Sequence, residues 1–192
     1  MTARLHDGAP GEEVWRAAGP AGLRATMLDP AADVDVLHDW VARPHAGFFG
    51  LGGLTRDELR ETYELVASLP THHAYLMRAG DVPVALLQLY HPEDDPVAAA
   101  YDVGPGDVGV HLFRGGDRVG WDVLGPALLG FMFSPPGVER LVVEPDVRNR
   151  AAIARASALG FELAGEVHFE SPHGPKDAML AFLDRDRAPL PR

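Results

Sequence analysis

The sequence predicts a mixed α/β (α+β) domain, and three observations carry that expectation. Short runs rich in β-branched and aromatic residues alternate with stretches whose apolar residues recur at helical spacing. A glycine-rich turn, Arg114 to Gly120, follows one such strand and leads into a β-α-β-α-β tract. The chain has 192 residues, 46% hydrophobic and 23% charged, which suits one soluble domain with a good-sized core.

The elements follow in order. Residues 1–20 are rich in Gly, Pro, Ala and Glu with little periodicity, and read as a loose N-terminal arm. Leu23 to Leu28 alternates as a first strand. Pro30 opens a helix carrying Val34, Leu37, His38 and Val41, which Arg43-Pro44 ends. His45 to Leu54 is a loop that exposes two phenylalanines. Thr55-Arg56-Asp57-Glu58 is a capping box, and the helix it starts runs to about Leu69 with Leu59, Tyr63 and Val66 on one stripe. His73–Arg78 and Val82–Tyr90, joined by Ala79-Gly80-Asp81, form a hairpin. HPEDDP is a polar turn, Ala98 to Val103 a short strand, and Asp107 to Phe113 a better one. In that strand Val108, Val110 and Leu112 face one way, while Gly109, His111 and Phe113 face the other. Past the glycine-rich turn, Val119, Val123, Leu124, Ala127, Leu128 and Phe131 mark a helix. Glu139–Val143 is a compact strand, and the alanine-rich helix after it stops at Gly160, a C′ glycine. Phe161–Phe169 and Asp177–Leu183 are the last strands. Residues 21–185 are expected as a single domain and 186–192 as a tail.

Charge and composition exclude several functions. There are 17 Lys+Arg against 28 Asp+Glu, a net charge of −11, which argues against nucleic acid as a partner. Cysteine is absent, so there is no disulfide, thiolate metal site or cysteine nucleophile. The nine histidines show no metal-ligand spacing, and no metal is expected. No apolar run is long enough to span a membrane and the N-terminus lacks a signal-like apolar segment, so a cytoplasmic protein without a membrane partner is expected. Lys176 is the only lysine, in a composition that favours Arg, Ala, Gly and Pro.

Four constellations can carry chemistry. In the glycine-rich turn, Gly115, Gly116 and Gly120 let backbone amides approach an anion at a helix start, and Arg114 and Arg118 add charge. The turn matches neither the dinucleotide fingerprint nor the P-loop, and a plain turn accounts for the glycines equally well. A lone histidine is more often structural than catalytic, but His111 lies just upstream on the face opposite Val110 and Leu112, where a general base or a donor to substrate fits. Asp146 sits past a strand end, where ligands bind in open α/β sheets, but an Asp there also caps helices. Asn149 caps equally well, so one of the two is left for a ligand. Trp40, Phe48, Phe49 and Tyr90 line a pocket or belong to the core.

Together these pieces resemble the GCN5-related N-acetyltransferases, abbreviated GNAT, and within them the branch that acylates N-hydroxylated diamines or lysine in siderophore biosynthesis. The residues carrying the likeness are His38–Trp40 (HDW), Leu86–Asp95 (LLQLYHPEDD), Asp107–Gly115 (DVGVHLFRG), Glu144–Asn149 (EPDVRN), Ala158–Phe161 (ALGF) and Pro175–Leu183 (PKDAMLAFL). Two features depart from the family: Gln88 stands where Glu is frequent, and the usual loop Q/R-x-x-G-x-G/A is reduced to Arg118 and Gly120. The resemblance implies a GNAT fold, with a mixed, mostly antiparallel sheet splayed between the two strands that flank the acyl-CoA site, and helices on both faces. It implies acetyl-CoA or succinyl-CoA as co-substrate, held by Leu112, Phe113, Arg114, Gly115, Gly116, Arg118, Gly120 and Asn149, with a backbone N–H near Leu112 or Phe113 as oxyanion donor. His111 and Asp146 are implied as catalytic, and Trp40, Phe48, Gln88, Tyr90 and Lys176 as substrate-binding, in a monomer or homodimer. Two other classes fit the same residues: an acetyltransferase of aminoglycosides or another primary amine, and a non-catalytic acyl-CoA-binding module.

Overall fold

A computed structural model of the chain describes residues 3–19, 21–171 and 174–190. Eight strands form one sheet: β1 (Glu13–Arg16), β2 (Leu23–Met27), β3 (His72–Ala79), β4 (Val82–Tyr90), β5 (Asp107–Arg114), β6 (Arg140–Val143), β7 (Glu162–Ser171) and β8 (Gly174–Asp184). Their order across the sheet is β1-β2-β3-β4-β5-β6-β8-β7. Four helices accompany them: α1 (Val34–Val41), α2 (Arg56–Ser68), α3 (Trp121–Met132) and α4 (Arg150–Ala158). The mixed, mostly antiparallel α/β architecture expected from the sequence is the one observed.

The chain divides into two compact units. One comprises His6–Gln88 and Leu112–Ala127. In it β2 pairs antiparallel with β1 and with β3. Its core joins Leu37, Trp40 and Val41 of α1 to Leu59 and Tyr63 of α2, Leu76, Leu86 and Phe113. The capping box at Thr55 forms in full: Thr55 Oγ1 accepts from the Glu58 amide and the Glu58 side chain accepts from the Thr55 amide. These reciprocal bonds satisfy two of the donors that a helix start leaves unpaired.

The other unit comprises Met1–Leu5, Leu89–His111 and Leu128–Arg192. Here β5 and β6 are parallel, β6 and β8 antiparallel, and β7 and β8 a long hairpin from Glu162↔Phe182 to Ser171↔Gly174. Its core includes Tyr90, Val97, Val142, Phe169, Ala178 and Leu180. Asp107 is buried but paired in a fork with Arg140, at 2.8 and 2.7 Å. Gly160 stops α4 at φ +100, a conformation that a side chain disfavours.

Three expectations need correction. Residues 1–20 are not simply a loose arm: β1 lies within them, the Ala3 amide donates to Pro105 O and Ala3 is buried. The backbone bonds there come from sheet pairing, which the Gly/Pro-rich composition hides. Residues 1, 2 and 20 of that segment, and 191–192 of the expected tail, lie outside the described residues. Ala98–Val103 is not a strand, because Pro96–Ala100 forms a 3-10 helix started by Asp95, whose side chain accepts from the Val97 amide. The loop at His45–Leu54 also begins with a 3-10 helix, Pro44–Phe49. Phe48 is half exposed, while Phe49 packs edge-on against Phe113.

Candidate active site

The β5–β6 ladder pairs Asp107↔Arg140, Val108↔Leu141 and Gly109↔Val142. Side chains alternate along a strand, so a residue two positions beyond a paired one returns to the same face. Two beyond Gly109 is His111; two beyond Val142 is Glu144. They meet there, with His111 Nε2 2.8 Å from Glu144 Oε1.

Gly109 makes room for a third member. A Cβ added at Gly109 would lie 2.1 Å from Tyr90 Cζ, so the Tyr90 ring fills the space of the missing side chain. That ring is 5.0 Å from the His111 ring, and its hydroxyl donates to Glu144 Oε1 at 3.2 Å. Lys176 of β8 brings Nζ to the same oxygen, also at 3.2 Å. Three donors on three strands thus converge on one carboxylate oxygen.

Glu144 is only 4% exposed, and a buried carboxylate is strongly disfavoured unless paired and hydrogen-bonded. Burial pushes its pKa up, but His111 and Lys176 outweigh burial and hold it at about 2. For His111, burial acts to lower the pKa, yet the adjacent Glu144 charge and hydrogen bond prevail and raise it. Lys176 opposes that rise and Asp95 adds to it. Burial, then Glu144, drives the Tyr90 pKa far above the usual phenol value, so Tyr90 remains a donor. An ionised carboxylate only accepts, so neutral His111 carries its proton on Nε2 and Nδ1 becomes the basic nitrogen. The His111 side chain is 37% exposed, which leaves the ring accessible to a ligand.

Asp146 occupies a different setting. Its Oδ1 accepts from the Arg148 amide and Nε, both at 2.8 Å, and its Oδ2 from Arg148 Nη2 at 2.6 Å. The Arg148 bonds, against a smaller effect of burial, lower its pKa. Asn149 is the N-cap of α4, accepting from the Ala152 amide at 3.1 Å, so Asp146 does not serve as the cap.

The glycine-rich turn is shaped by packing as well as by openness. A Cβ at Gly115 would lie 1.9 Å from Trp40 Cζ2, and the Trp40 ring stacks on Phe113 with centroids 6.0 Å apart. Trp40 is 4% exposed. It is therefore a wedge beneath the turn, in keeping with the core alternative for this residue, and Phe113 is likewise buried in the core. The Gly115 amide donates to Val84 O at 2.9 Å, and its carbonyl accepts from Arg43. Arg114 donates to Val119 O, pairs with Asp117 and lies over the Trp121 ring at 5.1 Å, while its buried Nε has no hydrogen-bond partner among the described residues. Among the described residues nothing lies within 4 Å of a Cβ built at Gly116, and Arg118 is exposed. An open backbone position, an exposed guanidinium and an orphaned buried donor fit an anionic group at the start of α3. Gly120 is tight for another reason, since a Cβ there would lie 2.3 Å from Asp122 Oδ1.

Of the expected substrate residues, Tyr90 and Lys176 join His111 at Glu144. Gln88 is half-buried on β4 and Leu112 half-buried on β5. Glu144 stands in the sequence within the EPDVRN stretch, where no role of its own was expected of it. The signal was present: it continues the buried Leu141-Val142 strand as a charged residue in phase with Val142. Among the described residues, His91, Glu93 and Asp94 bring possible metal-ligand atoms within 4.8 Å of one another, with both carboxylates exposed. No helix among the described residues is long and apolar enough to cross a membrane.

Residues 29–169 match the family described as the acetyltransferase (GNAT) domain. The lysine N-acyltransferase MbtK of Mycobacterium tuberculosis is 27% identical over 156 residues, spanning 77% of this chain and 71% of that protein. The lysine N-acyltransferase MbtK of Mycolicibacterium paratuberculosis is 30% identical over 156 residues, 77% of this chain and 67% of that protein. Among solved structures, an uncharacterized protein from Bacillus halodurans superposes with a TM-score of 0.78 at 24% identity, covering 94% of this chain and 93% of that one. The aminoglycoside acetyltransferase AAC(6')-Ib, in complex with coenzyme A, superposes with a TM-score of 0.69 at 22% identity over 86% and 96%.

Proposed function

The chain belongs to the GNAT acetyltransferase family, and from that premise we propose that it acylates the terminal nitrogen of a lysine-like, N-hydroxylated amine. The acceptor is N6-hydroxylysine or an N-hydroxylated diamine such as N-hydroxycadaverine or N-hydroxyputrescine, and the product is a hydroxamate of the siderophore type. Acetyl-CoA or succinyl-CoA supplies the acyl group as a thioester. The observation that carries the reading is the His111–Glu144 pair, which orients an accessible imidazole with Nδ1 as its basic nitrogen. The likeness to lysine N-acyltransferases supports the acceptor class.

The acceptor nitrogen attacks the thioester carbonyl, forming the C–N bond and a tetrahedral oxyanion. A backbone N–H near Leu112 or Phe113 is assigned to that oxyanion. His111 Nδ1 takes the proton lost from nitrogen, and collapse breaks the C–S bond to release coenzyme A as thiolate. A hydroxylamine is largely neutral near pH 7, so orientation contributes much of the rate and the base comparatively little. Arg118, Arg114 and the backbone from Gly115 to Gly120 are assigned to the pyrophosphate. Asp146 is assigned to a cationic group of the acceptor, because its partner Arg148 is highly exposed and such pairs are worth little, about 0–1 kcal/mol. A net charge of −11 suits a cationic acceptor.

The test offers acetyl-CoA and succinyl-CoA with N6-hydroxylysine, N-hydroxycadaverine, N-hydroxyputrescine, lysine and an aminoglycoside, and reads products by mass spectrometry. Hydroxamate formation at rates well above those for lysine and the aminoglycoside is the expected result. Preference for either of the last two, or coenzyme A binding without turnover on any acceptor, overturns the assignment.

A further inference from the structure

We propose that Lys176 is a positioning residue: it shares the charge of Glu144 with His111 and so keeps the His111 ring able to shed its extra proton and act as a base near neutral pH. This rests on the acyltransfer reading above, which gives Lys176 no chemical step.

The geometry starts from Glu144. Its carboxylate is buried and its Oε1 accepts from Tyr90 Oη, His111 Nε2 and Lys176 Nζ. Tyr90 is neutral, so among the described residues the groups seen on this oxygen that can compensate the charge are His111 and Lys176. If His111 alone did so, the ring would be held as imidazolium, with protons on both nitrogens and no basic site. An ammonium 3.2 Å from the same oxygen removes that requirement. Lys176 is held for this role by more than the carboxylate, since its ammonium also lies 5.6 Å from the Phe169 ring centroid and its backbone belongs to the β7–β8 hairpin.

The groups around His111 act together. Glu144, beyond β6, and Asp95, ahead of the 3-10 helix, favour its charged form; Lys176 on β8 and burial favour its neutral form; Tyr90 on β4 competes with it for the shared oxygen. Lys176 is the cation in this set, and its chemistry suits the position. An ammonium is a compact charge that bonds one oxygen already shared with two other donors. A guanidinium presents a planar fork that seeks both oxygens of a carboxylate. This sole lysine among 16 arginines is thus a position where the chemistry prefers lysine.

The experiment measures the His111 titration by NMR of the imidazole in the folded, full-length chain, with the resonance assigned by its loss in H111Q. In K176M the midpoint is expected to rise by about one unit, as loss of a contacting charge predicts, and in E144Q to fall. Arginine in place of Lys176 should not restore the wild-type midpoint. The acid limb of kcat/KM should rise in parallel, with activity returning at higher pH. A K176M midpoint equal to wild type overturns the proposal; if K176M does not fold, the same reading is taken on K176Q. The titration needs no substrate. A shifted midpoint in a protein inactive on every hydroxylamine keeps the role of Lys176 and rejects the acceptor assignment, and an unmoved midpoint in an active enzyme does the reverse.

Discussion

His111 Nε2 and Glu144 Oε1 stand 2.8 Å apart, each two residues past the last rung that joins their parallel strands. The pair exists because the two strands stop pairing at Gly109 and Val142 while their alternation continues. Glu144 therefore fixes which imidazole nitrogen is basic. Replacing Glu144 by Gln keeps shape and removes charge, and turnover should fall about 10²-fold, the lower end of what a positioned base contributes. His111→Ala should cost at least as much. Steady-state kinetics on variants with wild-type circular dichroism check this, and an E144Q enzyme of undiminished kcat excludes the pair from the mechanism.

The two carboxylates beyond β6 should separate kinetically. Asp146 is bonded to an exposed arginine, and Glu144 to the histidine. Asp146→Asn is expected to raise KM for a cationic acceptor with a smaller change in kcat, whereas Glu144→Gln acts mainly on kcat. Arg148→Ala should leave KM unchanged or lower it by freeing Asp146. A D146N variant that loses kcat and keeps KM would move Asp146 into the proton-transfer step.

Stability and activity should show a matching pH signature. The folded-state pKa of His111 is raised above its ordinary 6.5, so the stabilisation from its charged form is complete below that value and disappears as pH rises through the folded value. Glu144 is held at about 2 against an ordinary 4.5, so its contribution is present above 4.5 and disappears as pH falls toward 2. Urea unfolding across pH should show wild type losing its advantage over H111Q above pH 6.5, while kcat/KM rises over that same interval. An advantage that does not change with pH would mean that His111 keeps one charge state throughout.

Gly109→Ala tests the packing beneath the site. The added methyl group would meet the Tyr90 ring at 2.1 Å, and overpacking of this kind costs about 1–3 kcal/mol or more. In a chain of this size Tm falls by about 2–4 °C per kcal/mol. Combining G109A with Y90L should recover stability but not activity, because the hydroxyl on Glu144 is gone. Differential scanning calorimetry of the single and double variants reads the coupling, and simple additivity would show that the two positions do not compete for space.

What the sequence revealed, and what it concealed, follows from the range of the interactions. The Thr55–Glu58 capping box spans four residues and formed as written. The strands and helices from Asp107 onward were legible from alternation and glycine stops. The pairing of β1 with β2 was not, because a four-residue edge strand draws its hydrogen bonds from a partner rather than from its own composition. Ala98–Val103 misled because alanine and valine suit a strand, while Pro96 and the Asp95 side chain locally favoured a tight turn. His111 was recognised, but its partner lies 33 residues away and only the β5–β6 register brings them together. For Trp40 the sequence left pocket and core both open, because its other half, the missing side chain of Gly115, is invisible until the turn is folded over it.

The Tyr90 ring sitting where Gly109 has no side chain carries an evolutionary consequence. The two positions share one volume, so they are expected to change together among relatives of this chain: glycine at the strand position with an aromatic at the other, or a bulkier strand residue with a smaller partner. A lineage that traded the tyrosine away would lose a donor to the buried carboxylate at the same step. The pair would then mark, in sequence alone, which relatives retain this arrangement around the histidine and which have built their proton-handling machinery another way.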